Sequence, residues 1–227
     1  MNSDKKTARF AGFLYLLVIL FGVFAELYVR AGLIASNNAA ETVQNIIANE
    51  RLFRLGFVSD LLMQVTFLLL PLPLYQLFKK VDKNQAMLMV LLVAIGVAIM
   101  CLNMLHQFAA ILMLKKGNFV AAFSAAQVNE LVALFLDFQK YGYRIAQIFF
   151  GLWLLPLGYL SYRSGFIPKV IGSMLMVACF SFLLDFFLFF LISDYSQTLS
   201  GWITLPTTIG EFAMCFWLII KGVKSDK

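Results

Sequence analysis

Long apolar runs alternate with short polar stretches along this chain. Their lengths predict six membrane-spanning helices, at about residues 10–34, 55–78, 86–114, 139–162, 169–192 and 206–220. A helix needs roughly 20 apolar residues to cross a hydrocarbon core about 30 Å thick. The sixth run is short, and Trp202–Leu205 extend it. Two other stretches, about 39–50 and 119–137, mix polar and apolar residues at helical spacing and read as short amphipathic helices lying on a membrane face. Asn38 and Glu41 have the spacing of a capping box at the start of the first of these, with Asn in place of Ser or Thr. Pro71 and Pro73 in the second span and Pro156 in the fourth predict kinks.

Polar residues interrupt nearly every span. Glu26, Arg30, Asp60, His106, Arg144, Asp185 and Glu211 all lie within or at the edge of apolar runs. An ionisable group in hydrocarbon is costly, so it pairs or faces a wet cavity. Many of these residues share a helix face with other polar side chains. Lys140, Tyr143, Arg144 and Gln147 form one stripe, and Thr204, Thr207, Thr208 and Glu211 another. Asn103, His106 and Gln107 mark one face of the third span, and Asp60 with Gln64 one face of the second. Such stripes are expected to point inward, away from lipid. At about 1.5 Å per residue, Glu26, Arg30, Asp60, His106, Arg144 and Asp185 fall roughly 24–33 Å from a marker residue at the opposite end of their span, Asn84 for His106 and a Lys or Arg for the others. Glu211 lies only about 15 Å from Lys221, near the midplane.

Charge sets the expected orientation. The N-terminal residues, the 79–83 turn, the 163–169 turn and the C-terminal residues hold eleven of the eighteen Lys and Arg. The positive-inside rule makes that side the cytoplasm, and an even number of spans puts both termini there. The two amphipathic helices then lie on the external face, and the first six charges lie in the outer leaflet or its interface. Lys5, Lys6 and Arg9 ahead of an apolar run imitate a signal peptide. The run is too long and lacks a small-x-small cleavage site, so it is expected to remain as the first span.

Composition agrees with a membrane protein. The 227 residues are 62% hydrophobic and 13% charged, and their length suits a single integral membrane domain over 1–227. The net charge of +6 marks helix ends rather than forming a stripe, so it does not point to nucleic acid. Cys101, Cys179 and Cys215 stand singly in three spans and read as packing residues. One His without HxxxH or HxxE spacing gives no metal or haem site, and no cofactor is expected. No GxSxG, Walker A or dinucleotide motif is present in its proper context.

Several stretches carry a family resemblance: Phe24–Arg30 (FAELYVR), Glu50–Leu62 (ERLFRLGFVSDLL), Tyr141–Lys169 (YGYRIAQIFFGLWLLPLGYLSYRSGFIPK) and the Gly210–Glu211 helix that reaches Trp217. Together they resemble the bacterial domain-of-unknown-function 4386 family of multi-pass membrane proteins, over nearly the whole chain. The resemblance implies a bacterial cytoplasmic-membrane protein and supplies neither substrate nor catalytic residues. One departure is Ser36-Asn37-Asn38, where a Pro-Gly-Asp type turn is the family expectation.

The residues therefore predict an all-α six-helix transmembrane bundle with a polar cavity opening externally. Its candidate ligand-binding residues are Glu26, Arg30, Arg54, Asp60, Gln64, Asn103, His106, Gln107, Tyr143, Arg144, Gln147, Asp185 and Glu211. The leading reading is binding, extending to transport, of a small polar or lipid-like ligand, with the bilayer as the main partner. Two alternatives stand beside it. One is a membrane-embedded enzyme acting on a lipid or lipid-linked substrate through a carboxylate and His106. The other is a structural or regulatory partner protein whose ion pairs only fix helix register.

Overall fold

The computed structural model describes residues 3–35, 38–115 and 122–223, and the side chain of Gln197 is left out of the description. The described residues are almost entirely helical and contain no strand. The helices are α1 (Ser3–Val23), which continues through a π-helical segment (Phe24–Arg30) into α2 (Ala31–Leu33), then α3 (Ala39–Ala48), α4 (Glu50–Leu69) and α5 (Pro71–Phe78). They are followed by α6 (Lys83–Met113), α7 (Ala125–Leu152), α8 (Leu154–Arg163), α9 (Lys169–Leu191) and α10 (Gln197–Ile220). Among the described residues, six helical stretches are long and apolar enough to cross a membrane. The protein is an all-α, six-span integral membrane protein.

Local chemistry accounts for most boundaries. The Asn38 side chain accepts from the Glu41 N–H at 3.0 Å and opens α3 as its sequence spacing predicts. Ser36 and Asn37 of the atypical turn lie outside the described residues. Asp82 Oδ1 accepts from the N–H groups of Asn84 and Gln85 at 3.0 and 3.1 Å, capping α6. The proline kinks appear as interruptions at Leu70 and Trp153. Pro156 has no N–H, and its ring opposes the carbonyl of Leu152, so α7 stops there and α8 begins.

Two expected boundaries are corrected. The 119–137 stretch and the span from 139 are not separate helices, because α7 runs unbroken from Ala125 to Leu152. Its start is a capping box, in which Ser124 Oγ accepts from Gln127 N–H and Gln127 Oε1 accepts from Ser124 N–H. No proline follows until Pro156. Residues 119–121 of that stretch lie outside the described residues. The sixth span starts at Gln197, not Pro206, which sits inside α10. Proline there removes one backbone bond without ending the helix, and Thr204 Oγ1 donates to Ser200 O at 2.8 Å beside it.

Where a single domain over 1–227 is the sequence expectation, the fold has two compact units, each assembled from separated chain segments. The first comprises residues 1–17, 66–98 and 144–227, and the second 18–65 and 99–143. In the first unit small residues bring helices together. A Cβ on Gly172 would lie 2.6 Å from the Tyr162 backbone nitrogen, so α8 and α9 cross at backbone contact. Tyr15, Phe67, Phe150 and Trp153 form an aromatic cluster with ring separations of 5.1–5.9 Å. In the second unit Val29, Leu33, Val43, Ile46, Phe53, Ile111, Val132 and Leu136 pack into one core. This core takes up the apolar face of α3 and that of the first turns of α7.

Burial follows the inside-out logic of a lipid-solvated protein. Large apolar side chains such as Leu102, Val170 and Phe180 are exposed, whereas Asp60, Gln64, Asn103, Gln107, Gln147 and Asp185 are buried.

Candidate functional site

Three polar clusters and one isolated carboxyl account for most of the candidate residues. The first cluster belongs to the second unit and is built on the π-helical segment. A π turn is wider than an α turn and is uncommon, and this one presents Glu26 and Arg30. Arg30 Nε donates to Glu26 Oε2 at 2.7 Å. Its Nη1 and Nη2 donate to the two carboxylate oxygens of Asp60, on α4, at 2.5 and 3.3 Å. Asp60 is 2% exposed and Glu26 63%, so the cluster runs from a covered anion to an open one. A forked guanidinium on a carboxylate is the pairing that makes a buried anion tolerable. Beside it, Ser59 Oγ donates to Phe21 O at 3.0 Å and ties α4 to α1.

The second cluster, in the same unit, joins α6 to α7. Asn103 Nδ2 donates to Gln139 O at 2.7 Å, and His106 Nδ1 lies 3.1 Å from Asn103 Oδ1. Gly142 makes this approach possible, because a Cβ there would fall 2.0 Å from Asn103 Oδ1. His106 also meets the Phe138 ring edge-on at 5.6 Å.

The third cluster belongs to the first unit. Arg144 Nη1 donates to Asp185 Oδ2 at 2.5 Å and to Gln147 Oε1 at 3.0 Å, and Nη2 reaches Ser200 Oγ at 3.4 Å. Gln147 Nε2 donates to the same Asp185 oxygen at 2.9 Å, and Tyr195 OH to the other at 2.7 Å. The guanidinium carbon stands 4.5 Å from the Phe189 ring centre. Asp185 is wholly buried and receives three donors. Burial, then the bond to Asp185, pushes the Tyr195 hydroxyl up to about 12. It therefore remains a donor throughout the neutral range.

Glu211 does not join any of these. Its Oε1 accepts from Tyr15 OH at 2.8 Å, within the first unit. Arg54 pairs along its own helix, Nε to Glu50 Oε1 at 2.7 Å, and Tyr143 is 40% exposed on α7. Gln64 and Gln107 stand apart in another way. Both side chains are buried in the second unit, at 0% and 1% exposure, and all four of their amide N and O atoms lack a protein partner.

Sequence reasoning missed Tyr15, Tyr195 and Ser200, and the backbone of Gln139. Tyr15 and Tyr195 carry a usable signal, since each is an amphipathic aromatic set in or beside an apolar run. Among the described residues, no three His, Cys, Asp or Glu side chains gather as a metal site.

A family model described as a domain of unknown function, DUF4386, matches residues 10–222. The chain belongs to the DUF4386 family. This DUF4386 protein is also 35% identical over 108 residues to an uncharacterized protein of Archaeoglobus fulgidus. The match covers 47% of this chain and 60% of the relative, so the chain spans about three fifths of the relative's length. That relative is archaeal, so the likeness does not restrict the family to bacteria or place this protein in a bacterial inner membrane. No solved structure matches the chain.

Proposed function

We propose that this integral membrane protein binds a small polar or lipid-like ligand through the polar interior of its second unit. The observation that carries the reading is the pair of buried, unpartnered amides of Gln64 and Gln107. A buried polar group without a partner costs about 1–3 kcal/mol, and two amides with four such atoms make an expensive way to fill a core. A bound molecule or water offering both donors and acceptors removes that cost. The Arg30–Asp60 pair and the Asn103–His106 pair flank these amides on the same helices, one helical turn away. The exposed Glu26 carboxylate marks the entrance. The basic residues at the helix ends favour an entrance on the external side. Transport is the stronger form of the reading and requires access that alternates between the two sides.

The charges themselves support a narrower role than the sequence suggests. Arg30, Arg144, Asp60 and Asp185 neutralise one another and hold helices together. The enzymatic alternative calls for His106 bonded to Asp60 or Asp185, but His106 bonds Asn103, and both carboxylates are engaged by arginine. The partner-protein alternative calls for a free apolar face on the 119–137 stretch; Val132 and Leu136 there belong to the core, and Leu134 is left exposed.

Thermal unfolding of Gln64→Met and Gln107→Met tests the reading. In detergent without added solutes both variants are expected to equal or exceed wild type in Tm, because an uncompensated amide is removed. Only wild type is expected to gain further stability in a panel of small polyols, amides and amino acids and of lipid extracts. A wild type indifferent to every member of that panel contradicts the proposal.

A further inference from the structure

A groove of about 470 Å³ runs along the outer face of the first unit between α9 and α10. One face of α9 lines it with Lys169, Val170, Ser173, Met174 and Val177, and α10 contributes Pro206 and Ile209. Apart from Lys169 and Ser173 this lining is apolar, and Val170, Val177 and Ile209 are exposed. Gly210 approaches the α9 backbone at Met174 and Leu175, so the two helices come close beside the groove.

The groove has a polarity along its length. Lys169 is the first residue of α9, and the eight residues from there to Val177 rise about 12 Å. That distance is most of one leaflet of a hydrocarbon core about 30 Å thick. The ends of α8 and α9 that meet at the Lys169 end carry two positive charges, Arg163 and Lys169. Lys169 Nζ lies 5.3 Å from the Tyr162 ring centre, and Arg163, which ends α8, lies 5.7 Å from the Tyr159 ring centre. No carboxylate pairs with either cation among the described residues, and the intervening 164–168 turn has no acidic residue. Tyrosine rings beside cations are the usual furniture of a headgroup layer.

We infer that this groove is a site for an anionic phospholipid, with one acyl chain lying between α9 and α10 and the headgroup phosphate seated on Lys169. The chain occupies the apolar lining and the phosphate neutralises an unpaired ammonium. The α9 N-terminus adds N–H groups and the positive end of its dipole on the same side. A zwitterionic headgroup brings its own cation toward Lys169 and Arg163 and loses that advantage. The site is independent of the polar interior proposed above.

Lipid retention by the full chain tests it. Purified protein is equilibrated with equimolar phosphatidylglycerol and phosphatidylcholine, and the bound lipids are counted by native mass spectrometry. Wild type is expected to retain phosphatidylglycerol several-fold over phosphatidylcholine. Lys169→Gln is expected to bring the ratio near unity without lowering bound phosphatidylcholine. Val177→Trp, on an exposed position, fills the groove and is expected to remove one bound lipid of either kind. Lys115→Gln, at an exposed cation of the second unit, should leave the ratio unchanged, and excess inorganic phosphate should not displace the lipid. Equal retention by wild type, an unchanged preference in Lys169→Gln, or a full lipid complement in Val177→Trp overturns the inference.

Discussion

The Arg144–Asp185 contact illustrates what a single buried charge demands. Asp185 is wholly buried and has three donors on two oxygens. Removing one partner leaves an uncompensated charge, whereas replacing both with apolar residues of similar volume does not. Arg144→Met is therefore expected to cost about 3–5 kcal/mol in denaturant unfolding, and Arg144→Met with Asp185→Leu to recover most of it. Full additivity of the two losses would mean that the groups act separately. Tyr195 offers a pH test of the same cluster. Its hydroxyl is held up at about 12, against 10.0 for an ordinary tyrosine, so the folded state favours the protonated form. Its contribution is fully present below pH 10 and is lost as pH rises from about 10 to 12. The stability gap between wild type and Tyr195→Phe should be constant from neutral pH to about 9 and shrink through that window. A gap that stays flat to pH 12 would rule out the Asp185 bond as its source.

Helices show where sequence patterns speak clearly and where they do not. Proline gave reliable warning at Pro156 and Pro71, because a missing N–H and an i−4 clash act locally. It misled at Pro206, where a first-turn position and an interior position look alike in sequence. The Ser124–Gln127 capping box was legible but hidden inside a stretch read as already helical. The π segment carries Arg30 to Asp60 on another helix, a contact that no local sequence pattern reports. Gly142 gives the element-scale prediction. Gly142→Ala places a methyl 2.0 Å from Asn103 Oδ1, so Asn103 must abandon Gln139 O. The expected loss is about 1–3 kcal/mol in thermal or denaturant unfolding, with most of it absent in an Asn103→Ala background. Gly32→Ala, which meets nothing within 4 Å, is the control and is expected to be neutral or slightly stabilising.

At the scale of the whole molecule, hydropathy alone predicts the six spans, because lipid imposes length and polarity on every helix. The inward burial of Asp60, Gln64, Asn103, Gln107, Gln147 and Asp185 follows from the same constraint. Their division among clusters does not. The two units are woven from separated chain segments, and no local pattern reports which stripe meets which. The spacing of the charges predicts one cavity lined by six of them at a common depth, with Glu211 beneath them. Pairing of Arg30 with Asp60 and of Arg144 with Asp185 leaves Gln64 and Gln107 as the buried unsatisfied side chains among the candidate residues. Orientation is a separate expectation. With the three native cysteines replaced, single cysteines at Lys6 and Gln76 should be labelled by an impermeant maleimide only after the cells are opened. Labelling of both in intact cells would invert the topology.

The claim that a ligand completes the buried amides is tested most directly by an experimental structure of the protein in a lipid nanodisc, at a resolution that shows ordered water and small molecules. The account predicts non-protein density within hydrogen-bond distance of the side-chain amides of both Gln64 and Gln107. Amides turned onto protein donors and acceptors, with no density beside them, would contradict it.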